Sequence, residues 1–340
     1  MDQVILQLLN GLDKGAAYAL IALGLTLVFG TLGVVNFAHG ALFMIGAFCA
    51  VVFNRLIQLE TITIDPTRLT PWGTPMQVRT PLVQAWLGDL GKFFVDWAVP
   101  ISILFAIPVM LLIGIIMERG LIRFFYRRPH AEQILVTFGL AIVLQELVKS
   151  AFGANPIPIS APPALSGSAN IGAWIGLEGI YYPWWRLVYL MFALAVIGLV
   201  VAFLRFTTYG MVVRAGMEDR QTVGFLGIDI QRRFTVVFGI AAVVAGIAGV
   251  MYTPIVSPSY NIGMDFLVLS FVVVVVGGMG SVGGAVLAGF LLGVLQSIAS
   301  MNEVKAIIPG IDQVIIYLVA VVVLLVMPRG LMGRKGVMEN

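Results

Sequence analysis

Apolar residues run through this chain in long uninterrupted stretches, with polar residues confined to short gaps between them. Runs near 15–35, 40–58, 97–117, 133–152, 185–204, 234–255, 281–300 and 311–328 each hold roughly the 20 apolar residues that a helix needs to cross a bilayer. A ninth, valine-rich run near 265–279 is shorter, so it reads as a ninth crossing or a re-entrant half-helix. The pattern predicts an all-α polytopic membrane protein with about eight or nine transmembrane helices, some broken or re-entrant. The first residues, MDQVILQLLNGLDKG, have Asp2 and Asp13 and no basic lead, so they read as a short amphipathic helix at the interface rather than a cleaved signal.

Composition supports the membrane reading: 60% of residues are hydrophobic and only 11% charged, against about 25% charged in soluble domains. That decides the reading of GGMGSVGG, in which Gly278, Gly280 and Gly283 match a dinucleotide-binding G-x-G-x-x-G. The nucleotide reading requires a soluble strand–turn–helix unit, yet residues 266–302 contain no Asp, Glu, Lys or Arg, so the match reads as coincidence. One cysteine, Cys49, rules out an internal disulfide. With two histidines beside it there is material for neither a metal cluster nor a nucleophilic triad, so no catalytic and no metal residue is assigned.

Charge matters through its distribution. Of the 20 basic residues, twelve lie in three connections: Arg119, Arg123, Arg127 and Arg128; Arg205, Arg214, Arg220, Arg232 and Arg233; and Arg329, Arg334 and Lys335. Basic loops stay in the cytoplasm, which puts 205–233 and the C-terminus inside. It puts 59–96 and the Pro- and Gly-rich 153–184 outside. The chain then forms one transmembrane domain, 1–340.

Small residues recur at helical spacing where helices must approach closely in lipid. Ala285, Gly289, Gly293 and Ser297 make one stripe, and Ala241, Ala245 and Gly249 another. The glycine clusters at 30–40 and 277–284 differ, since they sit where a helix should be unbroken. Interrupted helices in corresponding places of two halves point to a translocation site. NFAHGALFMIGAF and GSVGGAVLAGFLLG share such a break, an expectation of pseudo-symmetric halves. On this reading Asn36, Phe37, His39, Gly40, Gly278, Gly280, Ser281 and Gly283 line the pathway. For Asn36 and His39 the alternative is a bond to carbonyls that the break exposes. Glu146 and Lys149 read as a local ion pair three residues apart, and Asp265 and Asp312 as interfacial. Residues 211–226 read as one helix ended near Gly227, its charged residues mixed with apolar ones as on lipid or against a partner.

VVNFAHGALFMIGAF, VRAGMEDRQTVGFLGI, GGMGSVGGAVLAGFLLG and the ending VLLVMPRGLMGR together make the chain similar to the permease of branched-chain amino-acid ABC importers over nearly its whole length. The resemblance implies an ABC importer permease fold in the bacterial inner membrane, with alternating access. It also implies partners: a paralogous permease, two ATP-binding subunits and an external substrate-binding protein. ATP and magnesium then belong to those partners, in keeping with the lack of a G-x-x-x-x-G-K-[ST] loop here. The segment with Arg214, Met217, Glu218, Asp219, Arg220, Val223 and Gly227 resembles the coupling helix that docks on the ATPase. The family pattern often has alanine where Met217 and Val223 stand. Urea or short amides as cargo, a proton-coupled secondary transporter using Glu146, Lys149 or His39, and a membrane-embedded enzyme are the alternatives the residues leave open.

Overall fold

The computed structural model describes residues 2–69, 73, 75–126, 128–174, 176, 179–218, 220–225 and 227–333. The apolar runs become α1 (Asp2–Leu32), α2 (His39–Ile57), α5 (Ala98–Gly120), α6 (His130–Phe152), α8 (Trp184–Phe206), α11 (Ile230–Tyr252), α12 (Ile262–Gly277), α13 (Val282–Ala299) and α15 (Ile311–Val326). Among the described residues seven helices are long and apolar enough to cross a membrane, with α12 and α15 shorter apolar helices beside them. The protein is an all-α polytopic membrane protein. No strand precedes the 278–283 glycines. The valines form helix α12, which removes the nucleotide-binding unit.

Helix α1 is the hub, buried almost throughout from Gly11 to Leu32 and packed against α13, α11, α12 and α8. This corrects the expected N-terminal interfacial helix: residues 2–32 are one continuous helix. The physical reason is the stripe it meets. A methyl group built on Gly11 would lie 2.5 Å from Val294 Cα, one on Gly15 2.8 Å from Phe290 Cα, and one on Gly289 2.8 Å from Ala19 Cα. Such separations allow only backbone-to-backbone packing, which seats α1 closely on α13. Ala285 is fully buried and Gly293 abuts Gly15. The second stripe works likewise, with Gly249 against the carbonyl of Phe43 and Gly46 against Gly246.

The surrounding helices expose apolar side chains: Leu104 and Leu112 on α5, Leu135 and Leu147 on α6, Leu199 on α8, Leu325 on α15. Lipid satisfies such a surface, provided that all backbone groups bond internally.

Two ends of the bundle differ. At one, α2 leads into a hairpin of β1 (Glu60–Leu69) and β2 (Pro75–Pro81), then α3 (Leu82–Leu87) and α4 (Asp89–Asp96), with Glu60 opposite Pro81. Between α6 and α8 lie a 3-10 turn (Pro163–Leu165), β3 (Ser168–Asn170), α7 (Ile171–Trp174) and β4 (Tyr181–Pro183), with β3 and β4 paired antiparallel. Short α14 (Asn302–Ile307) joins α13 to α15. At the opposite, basic end, a 3-10 turn (Ile122–Phe125) joins α5 to α6, and α9 (Thr208–Glu218) and α10 (Arg220–Phe225) join α8 to α11. Within the span expected as a helix over 211–226, residues 208–218 and 220–225 are helical; Asp219 and Leu226 lie outside the described residues, as do Arg127, Arg334 and Lys335.

Candidate functional site

Between α1 and α2 the chain unwinds over 33–38 inside the bundle. Asn36, His39 and Gly40 are buried and Phe37 is half-buried. Asn36 bonds partly to its own turn, its Oδ1 accepting from Ala38 N at 3.0 Å, while Asn36 O accepts from His39 N at 3.2 Å. The break is also tied to α6. Phe37 N donates to Thr137 Oγ1 at 3.1 Å, and that hydroxyl donates to Gln133 O at 2.8 Å. Gln133 Nε2 in turn donates to Phe125 O at 3.0 Å and Arg128 O at 2.9 Å. The Phe37 ring lies 5.2 Å from Phe271 on α12 and 6.4 Å from Phe138 on α6.

His39 opens α2 and projects onto Gly24 of α1, where a methyl group would lie 2.8 Å from its Cε1. Both ring nitrogens are buried with no hydrogen-bond partner among the described residues. So are Asn36 Nδ2, Thr26 Oγ1 on α1 and Ser270 Oγ on α12. Buried polar atoms are nearly always bonded, so each exception calls for an explanation. A pathway that satisfies them only while cargo passes is one.

The second break, 278–281, lies beside the first: a methyl group on Gly280 would be 3.7 Å from Gly30 Cα. Gly278 ends α12 at φ +102, a conformation that favours glycine, and would carry a methyl group 2.5 Å from Gly333 N. Ser281 caps α13, its Oγ accepting from Gly284 N at 3.1 Å, and Gly283 is exposed. The C-terminal segment straps this break. Leu331 N donates to Val276 O at 2.8 Å and Met332 N to Gly277 O at 3.0 Å, satisfying carbonyls that the end of α12 would leave unpaired. Two motifs far apart in sequence thus form one contact.

At the basic end, Arg214 is exposed and Val223 is buried. Gly227 turns the chain at φ +76. Met217, Glu218 and Arg220 lie on the helical backbone of α9 and α10, their side chains outside the described set. Phe225 stands almost fully exposed at 88%. The pair of helices is keyed to α11: a methyl group on Gly216 would lie 3.6 Å from the Phe234 ring, and the Arg233 guanidinium stands 4.3 Å from the Tyr209 ring centre. Helix α9 packs on both α1, which leads into the first break, and α11, whose Ala241 carbonyl lies by Gly24 next to His39.

Some polar groups escaped sequence reasoning. Glu118 is 1% exposed, accepting from Tyr126 OH at 2.6 Å and Thr235 Oγ1 at 2.9 Å, whereas beside Arg119 it reads as a loop charge. Asp13, read as interfacial, is 2% exposed, with Oδ2 3.7 Å from Arg186 Nη1. Thr26, Thr137 and Ser270 are single hydroxyls in apolar helices and leave no signal in sequence. Glu146 and Lys149 do pair, at 3.2 Å, away from the breaks, and Asp312 pairs with Lys305 at 2.9 Å. At the opposite end from α9–α10, burial raises the pKa of the Tyr182 phenol on β4 from 10.0 to about 12. A cavity of about 290 Å³ there is lined by Asn54, Gln58, Asp96, Val99, Ser160 and Pro163 among others.

Comparison with known proteins adds a family. The profile described as "Branched-chain amino acid transport system / permease component" matches residues 7–327. The chain is 29% identical over 337 residues to the high-affinity branched-chain amino acid transport system permease protein LivH of Salmonella typhimurium, covering 97% of this chain and 96% of that protein. To the corresponding protein BraD of Pseudomonas aeruginosa it is 28% identical, with the same coverage. To a probable branched-chain amino acid transport permease of Methanocaldococcus jannaschii it is 22% identical over 92% of this chain and 88% of that one. No solved structure matches the chain.

Proposed function

The chain belongs to the branched-chain amino acid transport permease family, and from that premise we propose that it is the membrane subunit of an ATP-driven importer of neutral amino acids. Branched-chain amino acids are the leading cargo, the substrate class in the names of its relatives LivH and BraD. The complex pairs it with a paralogous permease, two ATP-binding subunits and an external binding protein, in the bacterial inner membrane. The sheet-bearing end faces outside, and α9–α10 and the C-terminus face the cytoplasm, as the basic loops favour.

The observation that carries this reading is the buried break at 33–38, with Asn36 Nδ2 and both His39 nitrogens unpartnered deep in an apolar bundle. These groups are uncharged donors and acceptors, suited to pass a cargo of no net charge without trapping it. Transport needs two global states on which the energy source acts unequally. Nucleotide binding in the partners moves α9 and α10, and the contacts of Gly216 and Tyr209 with Phe234 and Arg233 transfer that movement to α11. Helix α11 packs on α1, α2 and α5, so its displacement shifts Ala241 against Gly24 and His39. That alternates access at the break.

The test is reconstitution of the co-expressed complex in liposomes with labelled leucine, valine and urea. ATP-dependent uptake of the amino acids is expected. Uptake by this chain alone on a proton gradient, indifferent to ATP, would overturn the proposal, and urea uptake in place of the amino acids would overturn the cargo.

A further inference from the structure

A second group of unsatisfied polar atoms lies at the sheet-bearing end, apart from the break. Asp13 sits on α1, almost wholly buried. Its Oδ2 is 3.7 Å from Arg186 Nη1, too far for a hydrogen bond, and its Oδ1 has no partner among the described residues. Arg186, in the first turn of α8, gives Nη1 to Asn10 Oδ1 at 2.9 Å. A buried carboxylate is expensive unless paired and bonded closely, and a structural Arg–Asp pair would close up, commonly with two parallel bonds. This pair is held near, but not on, each other.

One turn along α8 from Arg186 is Tyr189, whose hydroxyl is likewise buried and unpartnered. It begins a chain of rings leading toward the centre of the bundle. Tyr189 lies 5.2 Å from Tyr252, Tyr252 5.3 Å from Phe266, and Phe266 5.0 Å from Phe43 and 5.8 Å from Tyr18. Five helices thus contribute rings to one cluster, which begins one turn of α8 from Arg186.

We propose that Asp13, Arg186 and this ring cluster form an entry site that recognises an amino acid as a zwitterion. The ammonium group takes Asp13 Oδ1, the carboxylate takes guanidinium donors that Arg186 does not spend on Asn10, and the aliphatic side chain lies against Tyr189 and Tyr252. The site rests on the importer reading and adds to it a selection that the uncharged groups of the break do not make, since urea or an amide lacks both charges. In this structure the site is closed, and opening it requires the first turn of α8 to part from α1.

Photolabelling tests the site separately from transport. The purified complex is irradiated with a diazirine analogue of L-leucine, and the labelled peptides are mapped by mass spectrometry. Label is expected within 182–192 or 248–260, displaced by L-leucine and not by urea. Asp13→Asn and Arg186→Gln should each lower it roughly 10- to 100-fold, the loss of one charged hydrogen bond, while Asp13→Glu and Arg186→Lys retain more of it. Label confined elsewhere in the wild type, displacement by urea, or undiminished label in the neutral variants would overturn the site. Should both neutral variants fail to assemble, the wild-type map and its competition still decide. Absence of ATP-driven leucine uptake by the wild type would instead count against the importer reading.

Discussion

The polar atoms that matter most here are single side chains whose surroundings make them costly. Thr137 is the clearest case, its hydroxyl accepting from Phe37 N while donating to Gln133 O. Thr137→Val keeps the shape and removes the acceptor, leaving a buried N–H unpaired at about 1–3 kcal/mol. A lower thermal midpoint of the solubilised protein is expected, together with several-fold slower uptake by an assembled complex; a wild-type midpoint would mean that the break does not depend on α6. Gly289 is costly in another way, since a methyl group there already meets Ala19 Cα at 2.8 Å. Gly289→Ala should cost about 1–3 kcal/mol by overpacking, and Gly289→Trp should leave no folded protein on size-exclusion chromatography. Asn36 and His39 were legible in the sequence because they interrupt an apolar run. Asp13 was not, because a charge near a helix start reads as wetted by the interface until Arg186 of α8 is known to lie against it.

At the scale of elements, the breaks and the basic-end helices decide behaviour. Apolar run length set most helix boundaries to within a few residues, because a bilayer accepts only internally bonded segments of about that length. It did not find that the first helix starts at Asp2 and runs unbroken into the first span, since that depends on what the segment packs against. On α9, Arg214 is exposed beside buried Val213, leaving its charge available to a partner surface. Arg214→Ala is expected to reduce ATP hydrolysis stimulated by loaded binding protein several-fold while leaving membrane insertion unchanged. Full stimulation in that variant would remove Arg214 from the coupling contact.

Across the whole molecule, orientation is the premise on which the proposed entry site, the break and the proposed coupling segment take their order. The sole cysteine, Cys49, is buried, so a Cys49→Ala background permits single reporters. A cysteine at Trp86, 83% exposed on α3, should react with an impermeant maleimide added to intact cells, and one at Phe225 only after the membrane is opened. The reverse pattern would turn the transport direction around.

The sequence by itself determined that this chain lives in a bilayer, roughly where it crosses, which family it resembles and which two stretches break. Those properties follow from local composition and from the backbone's need to bond to itself in lipid. Tertiary structure alone decided that the two breaks lie side by side, that the C-terminal segment closes one of them, and that Asp13 meets Arg186. Residues hundreds of positions apart are brought together by the close approach of small side chains, and a linear pattern records which faces can approach, never which partners they choose.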